Sequence, residues 1–316
     1  MGRFKRRDMA AKRKIKKQES LLVTIIFIVI VMGVFILTDL AEDNEGVTEI
    51  PQGEMTVSFI DIDQGNATLI QLGGVNTLID TGKEKAYGDL SAYLDNAGVR
   101  TIDNFIITHP DSDHMGGADL IIKDYDVKNF YITYYTSTTN EYKEMLRELY
   151  AKNLPLNNLY EGDLVEVGEA ATCQVLSPAK GAYYDDSNSA SVVMMLAFGK
   201  ERFLLTGDIP SKVEGDIRDK YDIDVDVLQV AHHGSDGSNG VLFLKNASPE
   251  YAVISVGEDN SYGHPRKNIL NRLNEYAGLT LRTDLNGDIV FKTDGHTINY
   301  TVERGEAAGG EADSAA

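Results

Sequence analysis

The chain has 316 residues, 42% hydrophobic and 25% charged, with a net charge of −19. These are the proportions of a globular protein, and the acidic balance argues against a general nucleic-acid-binding surface, which concentrates Lys and Arg. A single cysteine, Cys173, excludes an intramolecular disulfide and a Cys-rich zinc site, and reads as a small buried hydrophobe on a strand.

The charge is divided along the chain. Residues 1–19 carry nine Lys or Arg against two acids, while the remainder carries 21 basic and 47 acidic residues. Leu21 to Thr38 follows, 18 residues without a charge, long enough to cross most of a bilayer core as a helix. Asp39, Glu42, Asp43 and Glu45 lie beyond it, so the positive-inside bias predicts a cytoplasmic segment 1–20, a single transmembrane anchor 21–40, and an extracellular body on the cell membrane. The competing reading is a cleaved signal peptide. Its apolar run is usually shorter, and Thr38-Asp39-Leu40-Ala41 is a poor cleavage site. Residues 41–54 read as a polar linker and 304–316 as a disordered Gly/Ala/Glu-rich tail.

From Met55 the pattern changes to short β-rich runs. MTVSFIDI, NATLIQL and VNTLID are strand candidates separated by turn residues. A helix is predicted over Lys85 to Asn96, a strand at NFIITH, and another helix over Asn140 to Lys152. TCQVLSP, SVVMMLAF, RFLLTGD, DVLQVAHH, YAVISVG and three C-terminal strands follow, with helices near Ser211 to Asp219, Gly240 to Lys245 and Lys267 to Tyr276. Many strands in two similar halves, with few helices, predict an α+β body over 55–303: two sheets face to face with helices outside. Asp61, Asp80, His109, Asp208, His232 and the segment before His264 all follow apolar strands, where a rigid scaffold presents functional groups.

Within six residues, THPDSDHMGG holds His109, Asp111, Asp113 and His114. The i, i+2 spacings let these side chains converge on one side of a tight loop, and imidazole with carboxylate suits borderline divalent ions such as zinc or manganese. The following Gly pair permits a sharp turn into a helix. A solvated polar turn is the bland alternative. No phosphate-binding loop or Rossmann fingerprint appears, so no nucleotide cofactor is expected. Ser235 and Ser238 lack a nucleophile elbow, His296 reads as a surface residue, and Tyr131, Tyr134 and Tyr135 as packing residues or a groove lining.

THPDSDHMGG resembles the H-x-H-x-D-H loop of the metallo-β-lactamase superfamily. It is most similar to the variant with Asp in place of the second His, found in the soluble hydrolase domain of the DNA-uptake competence protein ComEC and its stand-alone relatives. FIDIDQGNATLI, LIDTG, DDSNSASVV, FLLTGDI, VAHHGS and SVGEDNSYGHP resemble other family blocks in the same order, from about Met55 to Tyr300. The resemblance implies a four-layer αββα sandwich and two divalent metal ions, zinc or manganese. It further implies that His109 and Asp111 bind the first ion, that Asp113 and His114 bind the second, that Asp208 bridges them, and that His264 completes the second site. Asp113 would also hold or accept a proton. His232 and His233 would lie near the substrate, His233 facing substrate or metal and His232 supporting it, though either could be a ligand. Asn188 stands near a position where many members have a metal-binding His, and with Ser235 would contact substrate, while Asp61 and Asp80 would back the ligands. Two residues depart from the family pattern: Asp63 replaces a usual Gly, and Asn66 a usual Asp.

The implied activity is hydrolysis of phosphoester bonds by a metal-bridged hydroxide. The substrate class then includes nucleic acid or a wall-polymer phosphoester such as phosphorylcholine, the acidic body weighing against DNA. Lactamase-like hydrolysis of an amide or ester is an alternative, as is a non-catalytic cell-surface binding module.

Overall fold

The computed structural model describes residues 53–305; the expected anchor and most of the expected linker and tail lie outside the described residues. No helix among the described residues is long and apolar enough to cross a membrane.

The strands, in chain order, are β1 (Met55–Phe59), β2 (Thr68–Leu72), β3 (Val75–Ile79), β4 (Thr101–Ile107), β5 (Asp126–Ile132), β6 (Leu156–Asn158), β7 (Leu164–Val165), β8 (Ala171–Ser177), β9 (Val193–Phe198), β10 (Glu201–Leu205), β11 (Val227–Gln229), β12 (Tyr251–Ile254), β13 (Leu279–Arg282), β14 (Ile289–Thr293) and β15 (Ile298–Val302). The helices are α1 (Tyr87–Asn96), α2 (Ser112–Met115), α3 (Ala118–Asp124), α4 (Asn140–Ala151), α5 (Ser211–Lys220), α6 (Val241–Ala247), α7 (Lys267–Tyr276) and α8 (Thr283–Asn286). One sheet has eight strands in the order β15-β14-β1-β2-β3-β4-β5-β6, the other seven in the order β13-β12-β11-β10-β9-β8-β7.

The central strands of each sheet are buried on both faces, which explains their continuous apolar runs. Successive side chains of a strand point to opposite faces. Ile70 and Leu72 of β2 and Ile106 of β4 therefore enter the core between the sheets, alongside Met194 and Leu196 of β9. Leu69, Phe105 and Ile107 face the other way, against Leu90 and Leu94 of α1 and Met145 of α4. On the second sheet Val193 and Met195 face outward, with Val213 of α5 and Leu273 of α7. The layers are thus helix, sheet, sheet, helix.

Both sheets are mixed. β3 to β6 run parallel in one, and β10 to β13 in the other. Loops leaving the carboxyl ends of parallel strands form a natural ligand crevice, and β3, β4, β10, β11 and β12 deliver Asp80, His109, Asp208, His233 and the loop to His264 from those ends.

Three features differ from the sequence-based expectation. The first helix is preceded by a separate 3-10 turn at Glu84–Ala86, the helix expected after the Gly pair is α3, and α2 and the strands β5 to β7 were not anticipated, because their short or half-exposed runs carry little periodicity. Gly116 adopts an ordinary helical φ of −59° rather than a special turn conformation. Its role is close approach: a Cβ there would lie 2.8 Å from Lys83 Cα and 2.6 Å from Glu84 N.

Candidate metal centre

β4 ends at Ile107, and the chain then turns through Thr108 and His109 into α2, whose first turn carries Asp113 and His114. Asp111 precedes that helix in an extended conformation. The short helix turns Asp113 and His114 inward while Asp111 stays at the mouth, with a side chain 43% exposed.

Asp208 sits among four imidazoles. His114 Nε2 lies 3.2 Å from its Oδ1, and the Nε2 atoms of His233, His232 and His109 lie 3.6, 3.8 and 3.9 Å from its Oδ2. Asp111 Oδ2 is 3.8 Å from His109 Nε2, and Asp113 Oδ2 is 3.7 Å from His233 Nε2. Ligand atoms of His109, His114 and Asp208 all lie within 4.8 Å of one another.

Three hydrogen bonds set the orientation of these rings. The Asp80 carboxylate only accepts, so His114 Nδ1, 2.7 Å from Asp80 Oδ2, carries the proton. Thr108 Oγ1 donates to the same Asp80 oxygen at 2.8 Å and can therefore accept from His109 Nδ1 at 3.1 Å. His233 Nδ1 donates to the Ser255 carbonyl at 2.7 Å. Each ring thus spends its Nδ1 proton on a fixed acceptor and turns Nε2 inward, the arrangement found behind metal-ligating histidines.

The Nε2 atoms of His109, His114 and His233 are all buried without a hydrogen-bond partner among the described residues. Leaving one such atom unsatisfied costs about 1–3 kcal/mol. Three aimed at one carboxylate, flanked by Asp111 and Asp113, form a donor set that a divalent cation satisfies, so the residues present fit a metal. The ionisable groups of the cluster shift one another strongly. Burial and the neighbouring His114 push His109 down to about 4. Burial opposes the charge on His114, but the Asp208 and Asp80 carboxylates outweigh it and hold its pKa well above the usual value. Asp208, although buried, is held well below the carboxylate range by His114 and His233.

Several expectations change in three dimensions. His264 makes no ion pair with Asp113 or Asp208 within 4 Å among the described residues; its ring packs 5.8 Å from His232 and stacks on Tyr262. His233 Nε2 lies beside Asp113, and His264 Nδ1 is likewise buried without a partner among the described residues. His233 faces the carboxylates, and His232 is the more open of the pair, its side chain 30% exposed against 4% for His233. Asp61 does not back the ligands: its carboxylate accepts from Arg304 at 2.6 Å and from the Asp63 amide at 3.4 Å. Asp80 does, with Thr108 N donating to its Oδ1 at 2.8 Å. Gly234 has φ +79°, and a Cβ there would lie 2.7 Å from Pro265 Cβ, so its missing side chain admits Pro265 rather than a substrate.

Asn188 lies in a 3-10 turn at Asn188–Ala190, its Oδ1 buried and without a partner among the described residues. Ser235 closes the histidine turn, its amide donating to the His232 carbonyl at 2.9 Å. Two neighbours of Asn188 were not singled out from the sequence: Ser187 Oγ donates to Asp111 Oδ1 at 2.6 Å, and Ser191 Oγ accepts from the Asp208 amide at 3.3 Å. Their position beside Asn188 in the family-like DDSNSASVV block was the available signal.

Residues 60–258 match the model of the metallo-beta-lactamase superfamily. ComE operon protein 3 of Bacillus subtilis is 30% identical over 270 residues, 79% of this chain and 34% of that protein. Competence protein ComA of Neisseria gonorrhoeae is 33% identical over 245 residues, 77% of this chain and 33% of that protein. The chain therefore spans about a third of the length of these relatives. Among solved structures, the metallo-beta-lactamase fold protein YhfI from Bacillus subtilis superimposes with a TM-score of 0.53 at 15% identity, covering 77% of this chain and 100% of that one. Igni18, a metallo hydrolase from Ignicoccus hospitalis, gives 0.50 at 17% identity over 75% and 98%. This chain belongs to the metallo-β-lactamase superfamily, with a metal-dependent hydrolase fold and competence proteins among its relatives.

Proposed function

We propose that the protein is a membrane-anchored hydrolase with two divalent cations that cleaves phosphoester bonds outside the cytoplasm. The observation that carries this reading is the group of three orphaned imidazole nitrogens around Asp208, with a carboxylate on either side. His109 and Asp111 would hold one cation, Asp113, His114 and His233 the other, and Asp208 both. Carboxylate-rich sites suit manganese as well as zinc. When bound, such ions supply Lewis-acid stabilisation of a phosphoryl oxygen and lower the pKa of water.

The chain's own residues do the rest. Asp80, Thr108 and the Ser255 carbonyl keep each Nδ1 proton in place, so the rings cannot turn during the reaction. His232, open to the cleft beside Asp208, can pass an Nε2 proton to the leaving oxygen. Burial and the facing His232 and His233 hold His264 at about 4, so it is neutral at pH 7 and suited to hydrogen-bonding a bound substrate. Asn188 and Ser235 would contact the bound substrate. The competence-protein relatives favour a nucleic-acid phosphodiester, and the charge of −19 favours a small phosphoester. Membrane anchoring rests on residues 21–40, with the N-terminus cytoplasmic.

The test is a panel of bis-p-nitrophenyl phosphate, phosphorylcholine esters, single-stranded DNA and nitrocefin, assayed on the full chain with and without manganese or zinc. Metal-dependent cleavage of a phosphoester is expected. Cleavage of nitrocefin alone would replace this reading with the lactamase-like one, and a chain that neither binds metal nor hydrolyses any of these would support a metal-free binding module.

A further inference from the structure

A buried chain of side chains runs from the Asp208 loop of one sheet to His114 on the other. Thr206 and Gly207 are the residues just before Asp208, and their amide groups donate to Gln229 Oε1 at 3.0 and 3.2 Å. Gln229 Nε2 donates to Asn66 Oδ1 at 2.7 Å. Asn66 Nδ2 donates to Asp80 Oδ2 at 3.0 Å, and Asp80 accepts from His114 Nδ1. All of these side chains are buried.

The chain has one polarity only. Backbone amides can only donate, so Gln229 must turn its oxygen toward Thr206 and Gly207 and its NH2 group toward Asn66. Asn66 must then present its oxygen to Gln229 and its NH2 group to Asp80. A carboxylate at position 66 would serve Gln229 but would leave two acceptors facing each other at Asp80. The amides of Asn66 and Gln229 are therefore matched in orientation. Asn66 also holds the metal loop by its backbone, its amide donating to the Asp113 carbonyl at 3.0 Å.

We propose that Asn66 and Gln229 are positioning residues that couple the two sheets across the metal centre, setting where Asp208 stands relative to His114. This rests on the metal-centre reading of the site. Neither residue faces the cleft or touches a reacting group. Both act through Asp80 and the Thr206–Asp208 loop, which hold the proposed ligands. Groups behind metal ligands typically change metal affinity by about 10–100-fold when altered.

The test uses Co(II) alone as the probe, titrated into the full chain and into Asn66→Leu, Gln229→Met and the double variant, which keep approximate volume but cut the relay. Folding is checked by circular dichroism, and Asn66→Ser replaces Asn66→Leu if the latter does not fold, since a seryl hydroxyl cannot span Gln229 and Asp80. The expected result is weaker Co(II) binding by about 10–100-fold in each single variant, a changed visible spectrum, and no further loss in the double variant, because both changes cut one chain. Unchanged affinity and spectrum in folded variants would overturn the relay, as would fully additive losses. Failure of the unaltered chain to bind Co(II) would instead overturn the metal-centre reading itself.

Discussion

The two walls of the candidate site are built differently. On the wall from the eight-stranded sheet, His109, Asp111, Asp113 and His114 come from one short loop, and Asp80 behind them accepts from Thr108, Asn66 and His114. Asp80 has a left-handed φ of +60°, whereas Asp111 is extended and leads into the short helix that carries Asp113 and His114. On the opposite wall, His232 and His233 both have left-handed φ values, +54° and +52°, followed by Gly234 at +79°. Such conformations in non-glycine residues cost of order 1–3 kcal/mol each and cluster at functional sites. The first wall carries its left-handed residue, Asp80, behind the proposed ligands, where it accepts their supporting hydrogen bonds. The second places its left-handed residues at the two histidines themselves, with His233 buried beside the carboxylates and His232 more exposed.

The largest effect that would sharpen this contrast is expected at Asp208, which both walls share. Asp208→Ala should empty both metal positions and abolish hydrolysis, read by elemental analysis and turnover together. Retention of full metal would place the shared ligand elsewhere.

Next come the two histidines of the strained turn. His233→Ala should lose one of two cations together with activity, as His114→Ala should. His232→Ala should keep both cations and lose about 10²–10⁴-fold in rate, the usual worth of general acid–base help. If His232→Ala empties the site as fully as His233→Ala does, the division of tasks is wrong.

A smaller effect is expected from Gly234→Ala. The left-handed φ and the 2.7 Å approach to Pro265 should together cost about 1–3 kcal/mol, seen as a lower Tm. The same change at Gly237, where an added Cβ meets only Ser235 Oγ at 4.0 Å, should leave Tm nearly unchanged.

The smallest effect lies away from both walls. Glu201, at the start of β10, is buried, and burial together with the nearby Asp226 pushes its pKa up to about 7. The folded protein therefore holds a proton that the unfolded chain releases at its ordinary, lower pKa. Glu201's contribution to stability is fully present below that lower value and is lost as pH rises through about 7. Glu201→Gln should flatten the fall in stability over that window while leaving metal content unchanged, as denaturant titrations at several pH values would read.

Asp61 and Asp80 show how far the sequence reached. Both follow an apolar strand, and both were expected behind the ligands. Nothing local distinguishes them. β3 runs parallel to β4, so Asp80 emerges beside Thr108 and meets His114. β1 is antiparallel to both of its neighbours, and Asp61 emerges beside Arg304 and the Asp288 carboxylate, which accepts from its amide at 2.8 Å.

By itself the sequence determined the two-sheet body, because burial on both faces requires continuous apolar runs, and it determined the ligand loop from His109 to His114, because spacing within six residues is local geometry. Only the tertiary structure decided which histidine meets Asp113 and which aspartate supports His114. It also decided that Asn66 and Gln229, 163 residues apart, share a hydrogen bond. Those contacts depend on distances between loops of separate strands, which sheet order and strand direction set and no local pattern encodes.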